Sequence, residues 1–181
     1  MKRTKYMMSN GLAFSEEKDM EKLRQKALNG WHLKGFRFLG YELEKGESED
    51  VVFSIDYRSL QPSEEEEYFE MFSFAGWTHV CSSVDKHMHI FKAKKGTKPI
   101  YSDVESTGDK FERLANPIKA SAIFFVGLTT VLWLIMTYTK GIVQNITELA
   151  FLLSFVLTIP SIMTLSAVYY HKWKNKKKMS V

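Results

Sequence analysis

Hydrophobic residues along this chain follow three spacings, and each spacing predicts a different kind of element. From Ser15 to Asn29, the residues Met20, Leu23, Ala27 and Leu28 fall three and four apart, which puts them on one face of a helix. Ser15 is placed to cap that helix, Glu16, Glu17 and Asp19 suit its positive end, and Gly30 is placed to end it. Trp31 to Glu44 then alternates aromatic and polar side chains as a strand, Gly46 to Asp50 reads as a turn, and Val51 to Arg58 as the next strand. A second helix is predicted from Pro62-Ser63 to Ala75. Two short strands follow, Trp77 to Ser82 and His87 to Ala93, around the turn Ser83-Val84-Asp85-Lys86. The third spacing is no spacing at all: Ala120–Thr139 and Leu149–Tyr170 are solid apolar runs of 20 and 22 residues without one charged side chain.

The periodic part repeats itself at an offset of 46 residues. Gly30-Trp31 recurs as Gly76-Trp77, Leu23 as Phe69, Leu28 as Phe74, and Met7 as Phe53. Each half reads as strand, helix, Gly-Trp, strand. Two such halves predict an α+β head of the ferredoxin-like type, βαββαβ plus one hairpin strand. In each Gly-Trp pair the glycine can take the left-handed conformation that closes a helix. The tryptophan then turns inward as a structural pin, so Gly30, Trp31, Gly76 and Trp77 are expected to be structural.

The element Gly30-Trp31-His32-Leu33, the strand Phe53-Ser54-Ile55-Asp56-Tyr57-Arg58, the acidic stretch with Tyr68, and Gly76-Trp77 together resemble a known family. It comprises uncharacterised Firmicute membrane proteins, catalogued as a domain of unknown function and often found beside PadR-like transcriptional regulators. The resemblance covers roughly Met1 to Lys95. It implies a bacterial inner-membrane protein in a regulatory setting, and it supplies no activity and no catalytic residues.

A helix rises about 1.5 Å per residue, so roughly 20 residues cross a hydrocarbon core of about 30 Å. Backbone groups must find partners within the segment in lipid, so the two runs are expected to be transmembrane helices joined as a hairpin. The expected organisation is a head at 1–98, a linker at 99–119, spans at 120–139 and 149–170, an external loop at 140–148 and a tail at 171–181. Trp133, Tyr138, Tyr169, Tyr170 and Trp173 lie towards span ends, where amphipathic rings suit the membrane interface. Lys110, Arg113 and Lys119 precede the first span, Lys172, Lys174, Lys176, Lys177 and Lys178 follow the second, and the connecting loop has only Lys140. The positive-inside rule therefore predicts a multi-pass protein of the cell membrane with both termini cytoplasmic. Pro160 is expected to kink the second span, with Ser154 and Thr158 re-satisfying backbone groups beside it. The spans contain no ionisable side chain, which argues against a transport path.

Charge separates along the same lines. The net charge is +4, yet the head to Lys98 balances 16 basic against 16 acidic residues, and the excess lies in the tail lysines. These suit anionic lipid headgroups. A neutral head argues against nucleic acid as a partner, although Lys34 to Tyr41 approaches an RNA-stacking strand pattern. One cysteine, Cys81, suits a reducing compartment, and no secretory signal is read at the N-terminus.

Candidate chemistry is sparse, and no cofactor is implied. His79-x-Cys81 and His87-x-His89 could converge on a metal if a hairpin set 79 opposite 89 and 81 opposite 87. Glu64, Glu65, Glu66 and Glu67 complement a helix start and offer a surface to a partner protein. Asp56 with Glu42 could pair as carboxylates, and Asp56-x-Arg58 reads more simply as an ion pair. No phosphate-binding loop, nucleophile elbow or zinc-protease motif is present, so a non-enzymatic sensor, regulator or scaffold is expected, its head engaging a cytosolic protein or small ligand. A metal-binding enzyme or metal sensor is the alternative.

Overall fold

In the computed structural model of the chain, residues 3–101 and 104–177 are described, those at 104–108, 111 and 174–177 by their backbone alone. They form β1 (Thr4–Met8), α1 (Leu12–Leu28), β2 (Trp31–Arg37), β3 (Gly40–Lys45), β4 (Val51–Tyr57), α2 (Glu65–Phe74), β5 (Thr78–Ser82), β6 (Met88–Lys94), α3 (Val104–Tyr138) and α4 (Ile142–Lys177). The chain divides into two units, Met1–Lys110 and Phe111–Val181.

The first unit is α+β and consists of the same arrangement twice, β1-α1-β2-β3 and then β4-α2-β5-β6. Each half closes a three-stranded antiparallel sheet with its last strand in the middle, in the orders β1-β3-β2 and β4-β6-β5. The repeat is therefore a repeat of βαββ, which differs from the expected ferredoxin-like order. The head has one strand more than expected and two three-stranded sheets, with β4 paired to β6 of its own half. The difference originates at Trp31 to Glu44, expected as one strand. It folds back on itself through Phe38-Leu39, with Phe36 opposite Tyr41 and Arg37 opposite Gly40. Leu39 makes the turn at φ 54, in the left-handed region where glycine or asparagine is the usual choice. Apolar side chains at the bend leave the alternation unmarked.

Both Gly-Trp glycines behave as expected, with φ 70 at Gly30 and φ 83 at Gly76 just beyond the helix ends. The tryptophans do not match each other. Trp77 is 3% exposed among Leu60, Tyr68, Phe72, Phe91 and Ala93, and its indole N–H donates to the Lys98 carbonyl at 3.0 Å. Trp31 is only half-buried, with the Lys5 and Lys45 ammonium groups 5.8 and 5.3 Å from its ring centroid. On α1 the expected stripe is buried at Met20, Leu23 and Ala27. The helix begins ahead of Ser15, which breaks it at φ −152, ψ 45 after a first turn closed by the Phe14 and Ser15 amides on the Gly11 carbonyl.

In the second unit, α3 and α4 are long and apolar enough to cross a membrane by length and composition, over Glu112–Tyr138 and Ile142–Trp173. Helix α3 starts well ahead of Ala120 and contains Pro117, so most of the expected linker is helical. Helix α4 starts at Ile142, which shortens the expected loop. Thr129 Oγ1 lies 2.7 Å from Ser154 Oγ and 3.0 Å from Thr158 Oγ1, joining the two helices through three hydroxyls. Thr158 also donates to the Ser154 carbonyl at 2.8 Å, a backbone contact of the kind expected near Pro160. Lys172 pairs with Glu112 at 2.8 Å, and Lys119 sits 5.4 Å from the Tyr169 ring centroid. Trp133, Tyr138, Tyr169, Tyr170 and Trp173 are exposed. Of the remaining tail lysines, Lys174, Lys176 and Lys177 are described by backbone only, and Lys178 lies outside the described residues.

Candidate functional site

Of the residues singled out for metal binding, His79 and His89 come together, with ring centroids 6.2 Å apart, but Cys81 and His87 do not take the expected pairing. A bulge between His79 and Cys81 sets His79 opposite Phe91, Cys81 opposite Ile90 and Ser82 opposite His89. A one-residue irregularity moves alternate side chains to the other face, and the required pairing is lost. His87 lies before β6, and no group of metal-competent side chains is found among the described residues. The Cys81 thiol is buried, which pushes its pKa up to about 12 and keeps it protonated. What forms instead is a hydrogen-bonded chain. His79 Nε2 and His89 Nδ1 lie 3.0 and 2.8 Å from Ser82 Oγ, and His89 Nε2 lies 2.9 Å from the Arg58 carbonyl. The carbonyl can only accept, so His89 donates to it through its Nε2–H. His79 stacks on Phe69 with ring centroids 4.0 Å apart. Burial, with His89 nearby, holds its pKa below the usual imidazole value.

The acidic helix start is partly occupied by local pairs. Glu64 Oε2 accepts the Gln61 amide at 2.9 Å, and Glu65 pairs with Lys86. Glu66 and Glu67 are exposed, followed on the same helix by exposed Glu70, Met71 and Phe74. Glu42 is a surface residue paired with Lys34 and Arg37, both at 3.3 Å, so it does not pair with Asp56.

The densest polar arrangement in the head lies where sequence reasoning did not look. Three carboxylates sit among tyrosines. Asp19 on α1 is fully buried and accepts hydrogen bonds from the Ser9 hydroxyl, from the Asn10 amide and side chain at 2.9 and 2.8 Å, and from Tyr41 Oη at 3.1 Å. Asp56 on β4 is 2% exposed and accepts the Tyr57 amide at 2.7 Å together with the hydroxyls of Tyr68 and Tyr101. Arg58, expected as its ion-pair partner, lies over the Tyr68 ring at 5.3 Å. Glu16, one turn before Asp19, accepts Tyr57 Oη at 3.1 Å and the Lys110 ammonium. Lys110, near the start of α3, is 5% exposed and lies 5.5 and 4.8 Å from the ring centroids of Tyr57 and Tyr101.

This cluster draws on both halves of the head and on the first turns of α3. Burial, reinforced by Glu16, pushes the Tyr57 phenol well above its usual range, and burial beside Asp19 does the same to Tyr41. Their protons stay on oxygen and are directed at carboxylates. Every buried side-chain polar atom among the described residues has a partner. Chemically the cluster is a closed polar lock. A charged lysine in an apolar interior is tolerated only with a carboxylate and aromatic faces around it, and all of these are supplied. In the sequence Lys110 reads only as a basic residue ahead of an apolar run, and Tyr101 carries no signal. A tyrosine and a lysine in a polar stretch carry no pattern that marks them as buried.

The molecule is thus a duplicated α+β head whose buried lock holds the first turns of the helix that continues into the apolar pair. The chain belongs to the family described as Protein of unknown function (DUF2812), which matches residues 15–123. That match takes in Glu16, Asp19, Asp56, Tyr101 and Lys110, and extends into the apolar part of α3. No curated protein and no solved structure matches the chain.

Proposed function

We propose that this is a two-span protein of the bacterial inner membrane whose cytoplasmic head is a non-enzymatic regulatory or scaffolding module that binds a cytosolic protein or small ligand. One observation carries this reading: α3 is a single helix that is held in the lock by Lys110, near its start, and continues through the apolar segment. Any event in the head that rearranges Glu16, Tyr57, Asp56 or Tyr101 acts on the same helix that would enter the bilayer. The two apolar helices support membrane insertion, and the basic residues flanking their outer ends support a cytoplasmic head and tail. The neighbourhood of a PadR-like regulator, implied by family resemblance, fits a role in signalling. The acidic helix α2, with Glu66, Glu67, Glu70, Met71 and Phe74 outward, suits a partner with basic and apolar groups.

The test is cysteine labelling of the full chain in intact cells. Lys140→Cys is expected to react with an impermeant maleimide from outside, and Lys95→Cys only after the membrane is opened. Labelling of Lys95→Cys from outside, or recovery of the chain in the soluble fraction, would overturn the membrane reading. For the regulatory part, Lys110→Gln is expected to leave the chain inserted but alter hydrogen exchange in both the head and α3. Unchanged exchange in either would remove the coupling.

A further inference from the structure

The turn between β2 and β3 carries side chains that a free surface does not call for. Phe38 is 87% and Leu39 64% exposed, and Met8 beside them is 64% exposed. Leu39 also stands in the left-handed region, where a β-carbon is disfavoured and glycine would sit without strain. The tip is nonetheless firmly held. Tyr6 Oη donates to the carbonyls of Phe38 and Leu39, both at 3.1 Å, and the Ser9 amide donates to the Leu39 carbonyl at 3.0 Å. The matching turn of the second half also passes through a left-handed residue, Lys86 at φ 54, so this tip is set apart by the apolar and aromatic side chains it exposes.

Its position suggests the role. Ser9, which holds the tip by its amide, bonds through its hydroxyl to Asp19, and Glu16, one turn earlier on α1, takes the Lys110 ammonium. The tip therefore lies at the end of the head where α3 is gripped. The candidate membrane segment of α3 begins at Glu112, only two residues beyond Lys110. Charge agrees: towards the tip the sheet bears exposed Lys34 and Arg37, which share a single carboxylate, Glu42, and leave a positive excess. Exposed apolar and aromatic side chains with basic neighbours are the composition that settles into an anionic membrane surface.

We propose that the Phe38-Leu39 tip, with Met8 beside it, inserts into the anionic lipid interface and docks the head on the bilayer to which the chain is anchored. This rests on the two-span reading above. An interfacial contact would fix the orientation of the head, so that a partner on α2 meets it in one pose. Leu39 contributes to that contact apolar area that glycine would lack.

The full chain is reconstituted into vesicles of phosphatidylcholine with phosphatidylglycerol, with an environment-sensitive fluorophore on single cysteines placed by Phe38→Cys, Leu39→Cys, Val84→Cys or Val156→Cys. Cys81 is buried and serves as the unlabelled background. Val84 is the fully exposed apolar residue of the β5–β6 turn, and Val156 lies in α4. Spin-labelled lipids are expected to quench positions 38, 39 and 156 but not 84. Quenching at 38 and 39 is expected to fall when phosphatidylglycerol is omitted or salt is raised. Quenching at 156 without quenching at 38 and 39 would overturn the docking while leaving the spans intact. Crosslinks between copies through position 38, without lipid quenching, would overturn it in favour of a protein contact. Failure at 156 as well would overturn the two-span reading and the docking with it.

Discussion

The two halves of the head share a backbone plan and differ in how they use it. Both are βαββ with the last strand central, and both end their helix in a glycine at positive φ. The second half places its tryptophan in a dense aromatic core, with Phe72 stacked on Phe91 at 4.3 Å and Tyr68 edge-on to Phe72 at 4.9 Å. The first half leaves its tryptophan half-covered under two lysines and puts Phe38 and Leu39 outside. The tryptophan of the second half is thus a core residue and that of the first half a partly solvated one, although both halves carry exposed apolar side chains. Topology alone says nothing of this division, which is made by which residue occupies each equivalent position.

The largest expected effect tests that division directly. Trp77→Ala should destabilise the chain by about 4 kcal/mol, as for other buried aromatics, whereas Trp31→Ala should cost roughly 1 kcal/mol because little of it leaves water. Chemical unfolding of the full chain in detergent measures both, and equal losses would dissolve the distinction. Next, Asp56→Ala strips the acceptor from two tyrosine hydroxyls and an amide, at about 3 kcal/mol. Asp56→Asn, which retains an acceptor oxygen, should lose less in the same measurement.

Smaller effects separate the halves further. In its folded environment His79 has a pKa below its ordinary 6.5, so the unfolded chain binds more protons as pH falls. Stability from this group is unaffected above that value and is lost progressively as pH drops below it. A melting series in acid should show this loss, and His79→Gln should flatten it. Smallest of all, Leu39→Gly should relieve the left-handed turn and stabilise the fold by about 0.5–1 kcal/mol. A loss of stability there would mean that the tip belongs to the core of the first half.

Much of the plan could be read from the chain. The offset between Gly30-Trp31 and Gly76-Trp77 located both halves, since a helix end followed by a strand start leaves a compact signature. The α1 stripe and the two apolar runs were equally plain, because periodicity reports burial on one face and its absence reports burial on all. The hairpin at Phe38-Leu39 was not legible, because its turn lacks the residues that ordinarily mark one. Nor was the bulge after His79, which depends on register between strands that sequence spacing cannot see. The lock was hidden for a different reason. Asp19, Asp56 and Lys110 look like surface residues one at a time, and their burial is decided by tyrosines that arrive from distant parts of the chain.

The doubling of βαββ within one polypeptide has a consequence for how such a head can diverge. In a symmetric pair of separate subunits, every substitution appears at both sites, so an apolar turn on one copy is an apolar turn on the other. Covalent linkage releases each copy from its twin. Val84 stands where the repeat would place Phe38, and the left-handed position that Leu39 fills at φ 54 in the first turn is filled by Lys86, also at φ 54, in the second. The fused pair can thus put a leucine at one turn and a lysine at the other within one architectural template, a difference that identical halves could not express.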